Sequence, residues 1–187
     1  MITFTVTFHG PFHVGTGNPE AGMDRPVDRG ALLPATSLKG LMRAEAAEIL
    51  GVRSSLIAEI FGQAGLAGAW WWEDASVEPV PGNSKPETLV GRAARIVVGD
   101  NGVVEDGFLV LGEHVWSERA TFRVGPLRAL APETSTRHTT ILRAAARSVT
   151  ALGGARRRGE GWVSITDDTG PWTDVDTRAL LACRRVS

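Results

Sequence analysis

The sequence has one cysteine, Cys183, so it can build neither a disulfide framework nor a cysteine-based zinc site. No run approaches the roughly 18–20 apolar residues of a membrane span, and no membrane partner is expected. The opening Met-Ile-Thr-Phe-Thr-Val-Thr-Phe lacks the basic region of a signal peptide, which makes the cytoplasm the expected location. A formal net charge of −1 gives no global electrostatic case for nucleic acid, so any such partner needs positive charge gathered locally. The Gly-x-x-x-x-Gly-Lys-Ser/Thr pattern is missing, which excludes a nucleotide P-loop. Internal repeats, low-complexity tracts and linkers are also missing. An apolar fraction of 43% over 187 residues then suits a single domain, 1–187, with one core and some long loops.

The chain opens with a strand over 2–9, where Ile2, Phe4, Val6 and Phe8 alternate with Thr3, Thr5 and Thr7. Helical spacing of Leu38, Leu41, Met42, Ala46 and Ile49 predicts a helix over 37–50 that stops at Gly51. A short helix over 54–61 and a strand over 69–72 come next. The three consecutive tryptophans of that strand either fill a core or subunit contact or stack on bases. Further strands are expected over 94–98 and 107–115, joined by the turn signal Asp100-Asn101-Gly102, and over 120–127. The last helix is placed over 140–152 and the last strand over 161–166, with 175–186 as a closing strand or short helix. Loop insertions are expected near 15–34, 78–88 and 126–139. The order fits an α+β, ferredoxin-like (RRM-like) β-α-β-β-α-β core with inserted loops.

Two stretches carry the candidate chemistry. Asp24-Arg25-Pro26-Val27-Asp28-Arg29 is a charged loop that Pro26 and Gly30 keep irregular, and Pro34 closes it. Thr36 or Ser37 can cap the helix beyond, and Lys39 and Arg43 share a face of it. That helix start suits a phosphate, although the same pattern also describes a solvated loop and a polar helix face. The second stretch is Gly153-Gly154-Ala155-Arg156-Arg157-Arg158-Gly159-Glu160-Gly161. Its glycines permit positive φ or close approach of a ligand, and its arginines offer planar forks to phosphate oxygens. Arg137, Arg143 and Arg147 add to the positive charge of this region. A flexible basic turn is the alternative.

Four motifs in order carry a resemblance to the RAMP superfamily, the RRM-like proteins of CRISPR systems. Phe12-His13-Val14-Gly15-Thr16-Gly17 is similar to its Leu-His-Ile-Gly-x-Gly, and Pro34 to Arg43 to its Pro-Gly-Ser-Ser-Leu-Lys-Gly-x-x-Arg. Ile60-Phe61-Gly62 resembles its Leu-Phe-Gly, and Gly153 to Gly161 its glycine- and arginine-rich loop. Ala35-Thr36 departs from Gly-Ser, and Arg157 stands where serine is common. The loop 24–29 is similar to the Asp-x-Pro-Val/Ile-x-Arg loop of the repeating backbone subunits of type III effector complexes.

That resemblance implies a subunit that lies along CRISPR guide RNA, in a filament of its own copies with other type III subunits, and cuts complementary target RNA. It implies Asp24 as the catalytic residue and ligand of a divalent cation, Mg2+. It implies RNA contacts at His13, Arg29, Ser37, Lys39, Arg43, Gly153, Gly154, Arg156, Arg157, Arg158, Gly159 and Gly161. A non-cleaving RNA-binding subunit of the same kind of complex is the main alternative, and a guide-processing endoribonuclease a weaker one.

Overall fold

The computed structural model describes residues 1–19, 22–80, 89–96, 109–154 and 156–185, the side chain of Arg157 excepted. Strand β1 (Ile2–Phe8) is the spine of a five-stranded sheet. Its alternation works as expected: Ile2, Phe4, Val6 and Phe8 are buried and the threonines face outward. Helix α1 (Ala35–Ala44) comes next, runs into a π-helical turn (Glu45–Ile49), and leads to α2 (Ser54–Phe61). The chain returns through β2 (Trp70–Trp72) and β3 (Ser76–Val77), both pairing antiparallel with the later β6 (Arg119–Pro126). Between them lies a hairpin, β4 (Val90–Arg95) and β5 (Val110–Val115), which forms a separate two-stranded sheet. Helix α3 (Pro132–Ser148), β7 (Val163–Asp167) and α4 (Asp174–Leu181) complete the chain.

The sheet order is β2-β6-β1-β7, with every pair antiparallel. With β2 and β3 as one broken strand and the β4–β5 hairpin as an insertion, this is the ferredoxin-like β-α-β-β-α-β arrangement. Leu38 and Met42 of α1 and Ile141, Leu142 and Ala145 of α3 join the buried face of the sheet in one apolar cluster, where Phe4 stacks on Phe122 at 5.0 Å. The opposite face carries Thr3, Thr5, Thr7, Thr121, Ser164 and Thr166. β1, β6 and β7 place no phenylalanine or tryptophan there, and Trp71 of β2 lies on that face only at the sheet edge, over Gly125, unlike the central aromatics of RRM sheets that stack bases.

Three expectations need correction. The stretch 126–139 is mostly helix, because α3 starts at Pro132. Proline at a first helical position gives up an N–H that has no helical partner anyway, so it opens the helix instead of breaking it. The first helix starts at Ala35, and neither Thr36 nor Ser37 caps it; the Ala35 N–H donates to Asp74 Oδ1 at 2.7 Å. The strand expected from residue 94 begins at Val90, while the Asp100-Asn101-Gly102 turn and residues 81–88 lie outside the described residues. Two of the three tryptophans pack inward, Trp70 donating to His138 Nδ1 at 3.1 Å and Trp72 sitting 5.7 Å from Phe61, whereas Trp71 lies over Gly125 on the opposite face. Among the described residues no helix is long and apolar enough to cross a membrane.

Arg143 and Arg147 do not belong to the basic cluster either. Arg143, 8% exposed in its side chain, donates to Asp167 Oδ1 at 2.9 Å, Asp176 Oδ1 at 3.0 Å and the Gly170 carbonyl at 2.9 Å. Arg147 donates to Asp167 Oδ2 at 2.9 Å, and the Arg143 guanidinium lies over the Trp172 ring. This network fastens α4 to α3 and β7. Burial pushes the Asp167 carboxyl up, but bonds from Thr169 and the charge of Arg143 outweigh it and hold it below its ordinary value. Hydrogen bonds from Thr173, assisted by Arg143, lower Asp176 as well. A carboxyl lowered by folding contributes stability above its unfolded pKa of about 4 and loses it as pH falls through the folded value. Arg143→Ala leaves buried Asp167 with Arg147 alone and takes the arginine from Asp176, and should cost about 3 kcal/mol in urea denaturation at pH 7. The deficit against wild type should shrink as pH drops from about 5 to 3.

Candidate nucleic-acid interface

The exit of β1 and the glycine-rich turn are built against each other. Gly154 N–H donates to the His13 carbonyl at 2.8 Å, and Gly161 N–H donates to the Pro11 carbonyl at 2.8 Å. Gly153 has φ +76°, and a Cβ there would lie 2.2 Å from the His13 oxygen. Gly161, at φ +71°, would set a Cβ 2.0 Å from the Leu152 oxygen. Only glycine fits either place, so these two residues serve chain-to-chain approach. Arg156, Arg158 and Gly159 are exposed at the turn, whereas Gly161 is buried at its base. A short 3-10 turn over Arg156–Arg158 shapes the arginine run.

The Asp24 loop is held by the inserted hairpin. Asp24 and Arg25 N–H groups donate to the Leu111 carbonyl at 2.9 and 3.1 Å, and Leu111 N–H donates to Asp24 Oδ2 at 2.8 Å. Glu113, buried on β5, fixes the loop from Arg25 to Arg29. Its N–H donates to the Arg25 carbonyl at 3.0 Å, its Oε2 accepts from Val27 N–H at 3.1 Å, and its Oε1 accepts from Arg29 at 2.6 Å. Its own carbonyl accepts from His13 Nδ1 at 2.7 Å. A carbonyl can only accept, so Nδ1 carries the hydrogen and the neutral ring leaves Nε2 as an acceptor. Burial, reinforced by the charges of Arg25 and Arg95, lowers the His13 pKa against the raising effect of that carbonyl. His114 is lowered for the same reasons, burial first. On the far side of the hairpin Arg95 and His114 both meet Glu160, tying β4 and β5 to the glycine-rich turn.

Two grooves result. The first, of about 420 Å³, is lined by His13, Gly15, Asp24, Arg25, Gly153 and Gly154. The second, of about 330 Å³, is lined by Thr36, Ser37, Gly40, Leu41, Gly153 and Arg156. Val14 and Gly153 border both, so the two adjoin. The structure thus brings the helix start, the glycine-rich turn and the Asp24 loop to one track across the end of the sheet.

Three candidates take other places. The face of α1 toward the groove is Thr36, Ser37, Gly40, Leu41 and Ala44, and neither Lys39 nor Arg43 lines it. Arg43 donates to the Gly62 carbonyl at 2.8 Å and closes α2. Arg29 is committed to Glu113 and borders a different, outer groove. The Asp74 carboxylate at Ala35 N–H already complements the dipole of α1, which weakens the helix start as a phosphate site. Arg25, Asp74 and Glu113 are absent from the sequence-based candidates. Arg25 had a visible signal in its place between Asp24 and Pro26, whereas the other two act on segments 39 and more than 80 residues away.

Among the described residues no three His, Cys, Asp or Glu side chains gather as a metal cluster. Asp24 is exposed, and its Oδ1 has no partner among the described residues. One free carboxylate oxygen fits magnesium only in the manner in which phosphates and water complete the shell.

An antiparallel ferredoxin-like sheet with an inserted hairpin and a glycine-arginine turn packed on its first strand defines the class of domain. The chain belongs to the RAMP superfamily, whose family model matches residues 5–164. No curated protein matches the sequence. Among solved structures, a chain of the type III-B Cmr-beta complex in its apo state superposes with a TM-score of 0.70 at 16% identity, over 90% of this chain and 97% of that one. A chain of Cmr-beta bound to cognate target RNA gives 0.68 at 15% identity, covering 89% and 96%. One from a type IV-B CRISPR complex gives 0.61 at 14%, covering 94% and 96%. At these identities the likeness is one of fold.

The junction rests on Glu113. Glu113→Ala should expose the Val27 amide to hydrogen exchange and cost about 1–3 kcal/mol, from donors left buried without an acceptor. Unchanged protection of Val27 would show that the loop is held by other means.

Proposed function

We propose that the chain is a guide-RNA-binding subunit of a CRISPR effector complex of type III, repeated along the guide, with complementary target RNA meeting it at the Asp24 loop. The observation that carries this is the pair of adjoining grooves that runs from Ser37 and Arg156 to Asp24, with Val14 and Gly153 shared between them. A backbone lying in it meets exposed arginine forks and small residues, a surface that positions phosphates without reading bases. Membership of the RAMP superfamily and the fold shared with Cmr-beta chains support the same reading.

Cleavage draws on RNA's own chemistry. A target nucleotide splayed at the loop attacks its adjacent phosphate through the 2′-hydroxyl oxygen; the bond to the 5′-oxygen breaks, leaving a 2′,3′-cyclic phosphate and a 5′-hydroxyl. Alignment of that oxygen with the leaving group is worth roughly 7–11 kcal/mol, so the rigidity of the Asp24 loop matters more than any single charge. Asp24 Oδ1 either takes the 2′-hydroxyl proton or serves as the protein ligand of magnesium. Magnesium bound there would neutralise charge on the scissile phosphate. His13 Nε2 offers an acceptor to a ribose hydroxyl beside Gly15.

One observation favours a second reading, a subunit that binds RNA without cutting it. Asp24 Oδ2 is spent on Leu111, and the carboxylate belongs to no cluster of three metal-binding side chains among the described residues.

Asp24→Ala in the guide-loaded complex should abolish cleavage of matched target RNA and leave RNA affinity within about twofold, as expected when only transition-state interactions are lost. Arg156→Ala with Arg158→Ala should weaken binding and flatten its salt dependence by roughly 1.4 in log-log slope, two phosphate contacts at ~0.7 each. Cleavage at the normal rate by Asp24→Ala would remove Asp24 from the chemistry. Metal-independent, guide-independent binding with no cleavage by wild type would favour the second reading.

A further inference from the structure

We infer that Arg25 is the phosphate-holding cation of the first groove, pairing with the RNA linkage that lies against Asp24. This rests on the proposed RNA track and assigns it a contact that the flanking motif residues do not supply. Arg25 lies on the floor of the groove between His13 and Gly154, and a Cβ on Gly154 would come within 2.6 Å of its Nη2. Its backbone is anchored at both ends, N–H to the Leu111 carbonyl and carbonyl to the Glu113 N–H, and its Cβ packs beside Gly112. The side chain therefore leaves a fixed point and runs past two glycines into the groove.

Its neighbours leave that charge uncompensated. Glu113 is taken by Arg29 and Val27, and Glu160 pairs with Arg95. Asp24 turns one oxygen to Leu111. Among the described residues no carboxylate lies within 4.0 Å of the Arg25 guanidinium. Burial lowers the basicity of His13, His114 and Arg95, and the charge of Arg25 adds to it in each. Among the described residues this half-buried arginine has no ion-pair partner, and the adjacent Asp24 carboxylate is half engaged at Leu111. A phosphate diester supplies that partner in bidentate form. Gly154 and Gly15 keep the approach open on either side.

The contact is a single linkage, which makes it measurable by neutralising linkages one at a time. Matched RNA carrying one methylphosphonate per molecule is bound to the guide-loaded complex, with wild-type chain, Arg25→Ala and Arg25→Lys compared. Wild type should lose about tenfold in affinity at one linkage per subunit repeat, the size of a charge-assisted hydrogen bond. Arg25→Ala should bind unmodified RNA about tenfold more weakly and show no further loss at that linkage, while keeping its sensitivity elsewhere. Arg25→Lys should retain part of the sensitivity, because the charge remains and the fork is gone. Undiminished sensitivity of Arg25→Ala at every linkage would overturn the assignment while leaving the RNA track intact. A flat profile in wild type, with tight binding, would overturn it without any variant. Failure of the wild-type complex to bind RNA would instead overturn the track itself.

Discussion

The wall of the groove from His13 to Arg29 depends on four hydrogen bonds made by one residue of the inserted hairpin. Through its N–H, its carbonyl and both carboxylate oxygens, Glu113 holds Arg25, His13, Val27 and Arg29. The 24–29 loop has no regular structure of its own, and an irregular segment holds one shape only if its backbone groups find fixed partners. A bound carboxylate satisfies two donors at once and carries the charge that Arg29 neutralises. The hairpin is therefore a clamp, and the position of Asp24 is inherited from it.

Charge is sorted in the same economical way. The chain is nearly neutral overall, yet its arginines divide into two populations. Arg143, buried against Asp167 and Asp176, and the partly exposed Arg147, paired with Asp167, serve the fold. Arg25 and Arg156 line the grooves and Arg158 is exposed on the adjoining turn, all without a carboxylate partner among the described residues. An internal ion-pair network and a local cationic track can thus coexist in a chain that composition marks as neither acidic nor basic.

Much of the fold is legible in the sequence because its signals are local. The Ile2-Phe4-Val6-Phe8 alternation specifies β1 and its buried face, and the spacing from Leu38 to Met42 specifies α1. Where local signals fail, the reasons are identifiable. Pro132 looks like a breaker but opens α3, and the cap of α1 comes from Asp74, far along the chain. At the site, the glycine-arginine turn and the Asp24 loop are visible as motifs, and the structure places both on one track. Lys39 and Arg43 lie off it because spacing says which residues share a helix face but not which face meets the groove. Glu113 has no local signature at all: its meaning lies in partners 84 to 100 residues away.

The central claim is that RNA runs along the seam between the β1 exit and the glycine-rich turn, and not across the threonine face of the sheet. Ultraviolet crosslinking of the RNA-bound complex, read by mass spectrometry of the peptides, tests it directly. The account predicts crosslinks in the peptides containing His13 to Arg25 and Gly153 to Arg158, on the same or neighbouring nucleotides. Crosslinks confined to Thr3–Thr7, Thr121 and Ser164–Thr166 would contradict it.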